Sequence, residues 1–132
     1  MRITVDTNIL VRAAVRDDAR QARIAARLLR EAEVIAVPLP CLCEMVWVLR
    51  RVYGFGALEI SAAIEALLNA SNVSSNRPAV EAGLAVLRDG GDFADGVIAF
   101  EGRWLGGESF VSFDRKAVAS VTRLALQART PR

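Results

Sequence analysis

The chain opens Met1-Arg2-Ile3-Thr4-Val5-Asp6-Thr7-Asn8-Ile9-Leu10, and this stretch decides how the rest is read. Ile3 to Val5 is a β-branched run, a short strand that ends at Asp6, with a helix following at once over Asn8 to Arg16. The alternation continues along the chain. Asp17 and Asp18 offer an N-cap for a helix over about Ala19 to Glu33, and Val34 to Val37 is strand-like up to Pro38. A third helix is expected from Pro40 or Cys41 to Tyr53, stopped by Gly54 and Gly56. Leu58 to Ala70 carries Ile60, Ile64, Leu67 and Leu68 on one helical face, and Asn72 to Ser74 reads as a short strand. Pro78 opens a helix with Val80, Leu84 and Leu87 inward and Gly90-Gly91 as its stop. Phe93 to Leu105 reads as a helix and Ser109 to Phe113 as a strand, while Leu126 to Arg132 is weakly patterned and expected to fray. Short strands alternating with helices predict an α/β fold: a three-layer sandwich with a short central parallel sheet.

At 132 residues and 53% hydrophobic, residues 1–132 are expected to form one domain with its own core. The longest apolar stretch, Val34 to Cys43, is broken by Pro38 and Pro40 and falls far short of the ~20 residues that span a bilayer. Asp6 interrupts the only N-terminal apolar run, so no secretory leader is expected. Cys41 and Cys43 are too few for a disulfide framework or an unaided zinc site; they read as small buried residues, and a cytoplasmic protein is expected. The chain contains no histidine, which excludes Ser-His-Asp and Cys-His triads and a histidine general base. Catalysis is left to carboxylates, hydroxyls, arginine, Lys116, or a hard metal held by oxygen. A net charge of +2 decides nothing about a nucleic-acid partner.

Four of the fifteen acidic residues stand in apolar settings. Asp6 follows Ile3-Thr4-Val5, Glu44 lies within Cys41-Leu42-Cys43-Glu44-Met45-Val46-Trp47, Asp95 within Phe93-Ala94-Asp95-Gly96-Val97, and Asp114 ends Phe110-Val111-Ser112-Phe113. An ionised carboxylate buried without a partner costs several kcal/mol. Asp6 and Asp114 close strands, while Glu44 and Asp95 fall near helix starts, so all four are expected at the carboxyl edge of the sheet, where α/β proteins bind ligands. Carboxylates gathered there repel one another unless a divalent cation neutralises them. Hard oxygen ligands suit Mg²⁺ or Mn²⁺, the metals that polarise a phosphodiester and generate hydroxide for its hydrolysis. Asp92 is either a fifth ligand or an N-cap after Gly90-Gly91. Thr7 and Asn8 either orient Asp6 or form a turn leaving the strand.

Asp6-Thr7-Asn8, Glu44 ahead of Met45-Val46-Trp47-Val48-Leu49, Asp92-Phe93-Ala94-Asp95-Gly96-Val97-Ile98-Ala99, and Ser112-Phe113-Asp114-Arg115-Lys116 together resemble a PIN domain. The likeness is strongest to the VapC toxins of type II toxin–antitoxin systems and covers residues 1 to about 120. Gly96 stands where that family often has a bulkier residue, and Ser112 where threonine is common. The resemblance implies a Mg²⁺-dependent endoribonuclease with Asp6, Glu44, Asp95 and Asp114 as its acidic quartet. It also implies a homodimer held inactive by a VapB-like antitoxin, whose C-terminal segment covers the active site and whose helix is expected near Leu42 to Leu49 and Ala57 to Leu68.

Arg20, Arg23, Arg27 and Arg30 recur at helical spacing, either as a phosphate- or antitoxin-facing stripe or as a solvated face. Arg115 and Lys116, beside Asp114, are candidates for RNA phosphates. Trp47, Trp104, Phe93 and Phe100 are expected in the core. Two other function classes are considered: a receiver-like signalling module, which fits less well because it would carry adjacent acids after its first strand, and a catalytically inactive PIN-fold interaction domain whose acids pair with arginine, which the sequence leaves open.

Overall fold

Three short strands, β1 (Arg2–Thr4), β2 (Val34–Ala36) and β3 (Val73–Ser74), pair in parallel in that order in a computed structural model describing residues 1–132. Ile3 sits opposite Ile35, and Ile35 opposite Val73, so the fully buried Ile35 is the centre of the sheet. The Val5 N–H donates to the Ala36 carbonyl at 3.2 Å, carrying the ladder to the residue before Asp6. Parallel neighbours need crossovers. Here α1 (Thr7–Val15) and α2 (Ala19–Glu31) link β1 to β2, and α3 (Leu39–Arg51) and α4 (Ala57–Asn69) link β2 to β3. These elements make up the first of two compact units, Met1–Asn76.

Local chemistry explains the boundaries. Asp6 caps α1 by accepting from the Ile9 N–H at 3.3 Å, and Asp18 caps α2 by accepting from Gln21 N–H at 3.0 Å. Helix α2 stops at Glu31, two residues earlier than expected, because the Asn72 amide donates to the Leu29 and Ala32 carbonyls at 2.8 and 2.9 Å. Pro40 occupies the first turn of α3, where its missing N–H is no loss, and Leu42, Met45, Val46 and Leu49 form the buried stripe. Tyr53, just past α3, donates to Asp17 Oδ2 at 2.9 Å and accepts from Arg12 at 3.2 Å, while Arg12 also reaches Asp17 Oδ1 at 2.5 Å. Through the Tyr53 hydroxyl and then the Arg12 guanidinium, the Asp17 carboxyl lies below its ordinary pKa.

The second unit, Arg77–Arg132, contains α5 (Arg77–Arg88), α6 (Phe93–Trp104), β4 (Phe110–Val111), α7 (Arg115–Thr122) and β5 (Ala128–Arg129). Helices α5 and α6 meet at two glycines. A Cβ on Gly96 would lie 2.4 Å from the Ala82 carbonyl oxygen and 2.8 Å from Gly83 Cα, and one on Gly83 would lie 2.7 Å from the Phe93 ring. The backbones therefore touch where only glycine fits, which accounts for the small residue beside Asp95. Phe93, Leu84 and Leu87 are fully buried around this crossing.

The expected fraying of the C-terminus is incorrect. Ala128–Arg129 pairs in parallel with β4, the Phe110 N–H donating to Gln127 O at 2.8 Å and Ser112 N–H to Arg129 O at 3.1 Å. The α/β class and short parallel sheet stand as expected. No helix is long and apolar enough to cross a membrane.

Candidate active site

The expected acids fall two and two between the units. In the first, Asp6 and Glu44 are both exposed, which corrects the expectation that Glu44, Asp6 and Asp114 occupy apolar surroundings. Asp6 sits at the end of the β1 ladder because it caps α1, and an N-cap residue stands at the solvent end of its helix. Glu44 lies in the second turn of α3, not the first, since that helix begins at Leu39. Its Oε2 accepts from the Thr7 hydroxyl at 3.0 Å, so Thr7 links the turn after β1 to the glutamate. Cys41 is half-buried, not buried; its thiol donates to the Val5 carbonyl at 3.4 Å, against the residue preceding Asp6.

In the second unit, Asp92 and Asp114 each cap a helix with one oxygen. Asp92 Oδ1 accepts from the Ala94 N–H at 3.1 Å, and Asp114 Oδ1 from Lys116 and Ala117 at 2.9 and 3.2 Å. Both are exposed, while Asp95, in the first turn of α6, is half-buried. Burial first, and then the negative charges of Asp92 and Asp114, raise the Asp95 carboxyl above its ordinary pKa. No arginine or lysine pairs with it. Asp92 is therefore a helix cap and, at the same time, a negative charge bearing on Asp95.

In neither unit do three carboxylates stand close enough to hold a metal ion unaided. Each capping carboxylate nonetheless keeps one oxygen free of protein hydrogen bonds, and the charge on Asp95 lacks a positive counterpart. Hard, anionic oxygens short of positive charge are the donor set of a Mg²⁺- or Mn²⁺-type cation, so these residues fit such an ion.

A family model for the PIN domain matches residues 3–123 and so runs through both units. The chain belongs to the PIN-domain family. PIN domains are generally nucleases and typically use divalent metals, so the carboxylates of this PIN domain belong to a nuclease scaffold. The receiver-like alternative falls with that match. No curated protein matches the chain in sequence.

Several surface residues of this PIN domain differ from expectation. Trp47 and Trp104 are 60% and 77% exposed, not core; Phe93 is buried as expected and Phe100 half-buried. Arg20, Arg23, Arg27 and Arg30 all face solvent, Arg27 pairing with Glu31 at 3.1 Å. Sequence reasoning missed the Thr7–Glu44 bond and the cap roles of Asp6 and Asp114. Thr7 directly after an acid was the available signal for the first.

Proposed function

We propose that the chain is a divalent-metal-dependent endoribonuclease, its two units working as one PIN domain, and that it is the cytoplasmic toxin of a type II toxin–antitoxin system. One observation carries the nuclease reading: the Asp95 carboxyl is half-buried, pairs with no arginine or lysine, and feels the like charges of Asp92 and Asp114. Asp6, Glu44, Asp95 and Asp114 would hold Mg²⁺ or Mn²⁺. When bound, such an ion supplies positive charge to the phosphodiester and lowers the pKa of its water. The chain's own residues do the rest. Thr7 holds the Glu44 carboxylate in one orientation, and the caps at Asp6 and Asp114 fix the direction of each free oxygen. Arg115 and Lys116, both exposed, take RNA phosphates.

The toxin role and a homodimer rest on the likeness of the four motifs to VapC toxins. A groove of about 450 Å³ supports an antitoxin seat: Leu10 and Ala14 of α1, Leu29 of α2, and Ala63, Ala66 and Leu67 of α4 line it. In this proposal the helix would sit farther toward α1 and α2 than Leu42 to Leu49. Arg30 also lines the groove and continues into the exposed Arg20 and Arg23, a charge pattern suited to an acidic amphipathic helix.

Single-turnover cleavage of single-stranded RNA tests the nuclease. Asp6→Ala, Glu44→Ala and Asp95→Ala are each expected to slow it by at least about 10²-fold, with RNA binding retained. Asp114→Ala is expected to cost less. Equal cleavage in EDTA and in Mg²⁺ would overturn metal dependence. The inactive interaction domain would instead show no cleavage by the wild-type protein with either metal.

A further inference from the structure

Phe113 is the most exposed large apolar side chain in the protein, 88% open to solvent, and it directly precedes Asp114. Single exposed apolar residues are ordinary on protein surfaces. What sets Phe113 apart is the backbone that carries it. On one side the Ser112 N–H donates to Arg129 O at 3.1 Å, tying the segment to β5. On the other, the Asp114 N–H donates to the Ser112 hydroxyl at 3.0 Å, while the Asp114 carboxylate accepts from two amides at the start of α7. Both neighbours are pinned, so the backbone that carries the exposed ring is fixed on either side.

The ring's surroundings are charged. Asp114, Arg115 and Lys116 follow it in sequence, all exposed, and neither cation is paired with a carboxylate. Phenylalanine and arginine are common at the centre of a protein–protein contact, but lysine and aspartate are depleted there, and Asp114 and Lys116 both stand within three residues of this ring. An aromatic face beside unpaired cations instead matches the chemistry of single-stranded nucleic acid, in which bases stack on rings and phosphates meet cations. A duplex offers no free base face to such a ring.

We propose that Phe113 is a stacking platform for an unpaired nucleobase of the RNA strand whose phosphates Arg115 and Lys116 hold. It makes the enzyme selective for single strands at the step of binding. This rests on the ribonuclease reading but is tested apart from it. Fluorescence anisotropy of a short single-stranded RNA with the full chain in EDTA measures affinity without cleavage. Phe113→Ala is expected to weaken binding about 5- to 150-fold, the range alanine substitution of a stacking ring produces. Phe113→Leu should weaken it similarly, whereas Phe113→Trp and Phe113→Tyr should keep it. The ring contributes no charge, so Phe113→Ala should leave the salt dependence of binding unchanged, while Arg115→Ala flattens it.

Wild-type affinity in Phe113→Ala or Phe113→Leu, or no measurable single-stranded RNA binding by the wild type, would overturn the proposal. So would a change in light-scattering mass in Phe113→Ala with RNA affinity intact, which would make the ring a protein contact. Loss of binding in Phe113→Ala together with no cleavage by the wild type in Mg²⁺ or Mn²⁺ would sink the nuclease and leave the platform standing. Normal cleavage by the wild type with unchanged binding in Phe113→Ala would do the reverse.

Discussion

Replacing Gly96 with alanine sets helix propensity against packing, and the contacts decide the sign. In an open helix the substitution stabilises by about 0.5–1 kcal/mol. At Gly96 the new methyl would stand 2.4 Å from the Ala82 carbonyl oxygen, with the Ala82 carbon and Gly83 Cα both at 2.8 Å. Real Cβ atoms essentially never approach closer than 3.0 Å, so α5 and α6 must separate by more than half an ångström. The obstacle is backbone, and no side-chain rotation relieves it. Overpacking of this kind costs about 1–3 kcal/mol. Net of propensity, Gly96→Ala should lose about 1–2 kcal/mol, a fall of about 3–10 °C in Tm for a chain of this size. Gly102→Ala is the control: it lies in the same helix with nothing within 4 Å of the added Cβ, and should gain up to about 1 kcal/mol. Urea unfolding followed by far-ultraviolet circular dichroism measures both. Equal stability of the two variants would refute the tight crossing of α5 and α6. Because Asp95 adjoins Gly96, the same separation should lower cleavage by Gly96→Ala as well.

Asp95→Asn should stabilise the metal-free protein at neutral pH. The folded state raises the Asp95 pKa, so its contribution to stability is fully present below the unfolded value and is lost as pH rises through the folded one; the variant escapes that loss, and its Tm advantage should vanish in acid. Mn²⁺ or Mg²⁺ should raise the wild-type Tm and shift Asp95→Asn less; identical wild-type curves with and without metal would count against a metal site. Asn72→Ala should cost about 1–2 kcal/mol by stranding the Leu29 and Ala32 carbonyls at the end of α2, and an unchanged urea midpoint would show that solvent replaces the amide.

Much of the fold was legible because caps and stops are local. Asp18, Pro40, Gly90 and the Ile60, Ile64, Leu68 stripe placed their helices within about two residues. β5 was missed because neither Ala128 nor Arg129 is β-branched or aromatic, whereas the equally short β3 and β4 carry Val73, Phe110 and Val111. The Asn72 amide and the Arg12–Asp17–Tyr53 bonds join residues far apart in sequence, which no local pattern reports. At the site, residue identity was legible and environment was not. Asp6 and Asp114 look buried in sequence because apolar strand residues precede them, yet a cap stands where the chain turns out to solvent. The exposure of Trp47 and Trp104 was invisible for the same reason: composition does not say which helix face lacks a neighbour.

The caps at Asp6, Asp92 and Asp114 constrain how this protein can decay. On the proposed metal site, an aspartate that caps a helix and also either holds the ion (Asp6, Asp114) or bears on Asp95 with its charge (Asp92) would be under two kinds of selection, and only one disappears when the activity is no longer needed. Asparagine and serine cap a helix about as well as aspartate, whereas alanine costs about 1 kcal/mol. Copies that have lost their chemistry should therefore accumulate asparagine or serine at positions 6, 92 and 114, keeping the fold while losing the charge. Asp95 and Glu44 cap nothing, and drift there is free to reach any residue the surrounding helix tolerates.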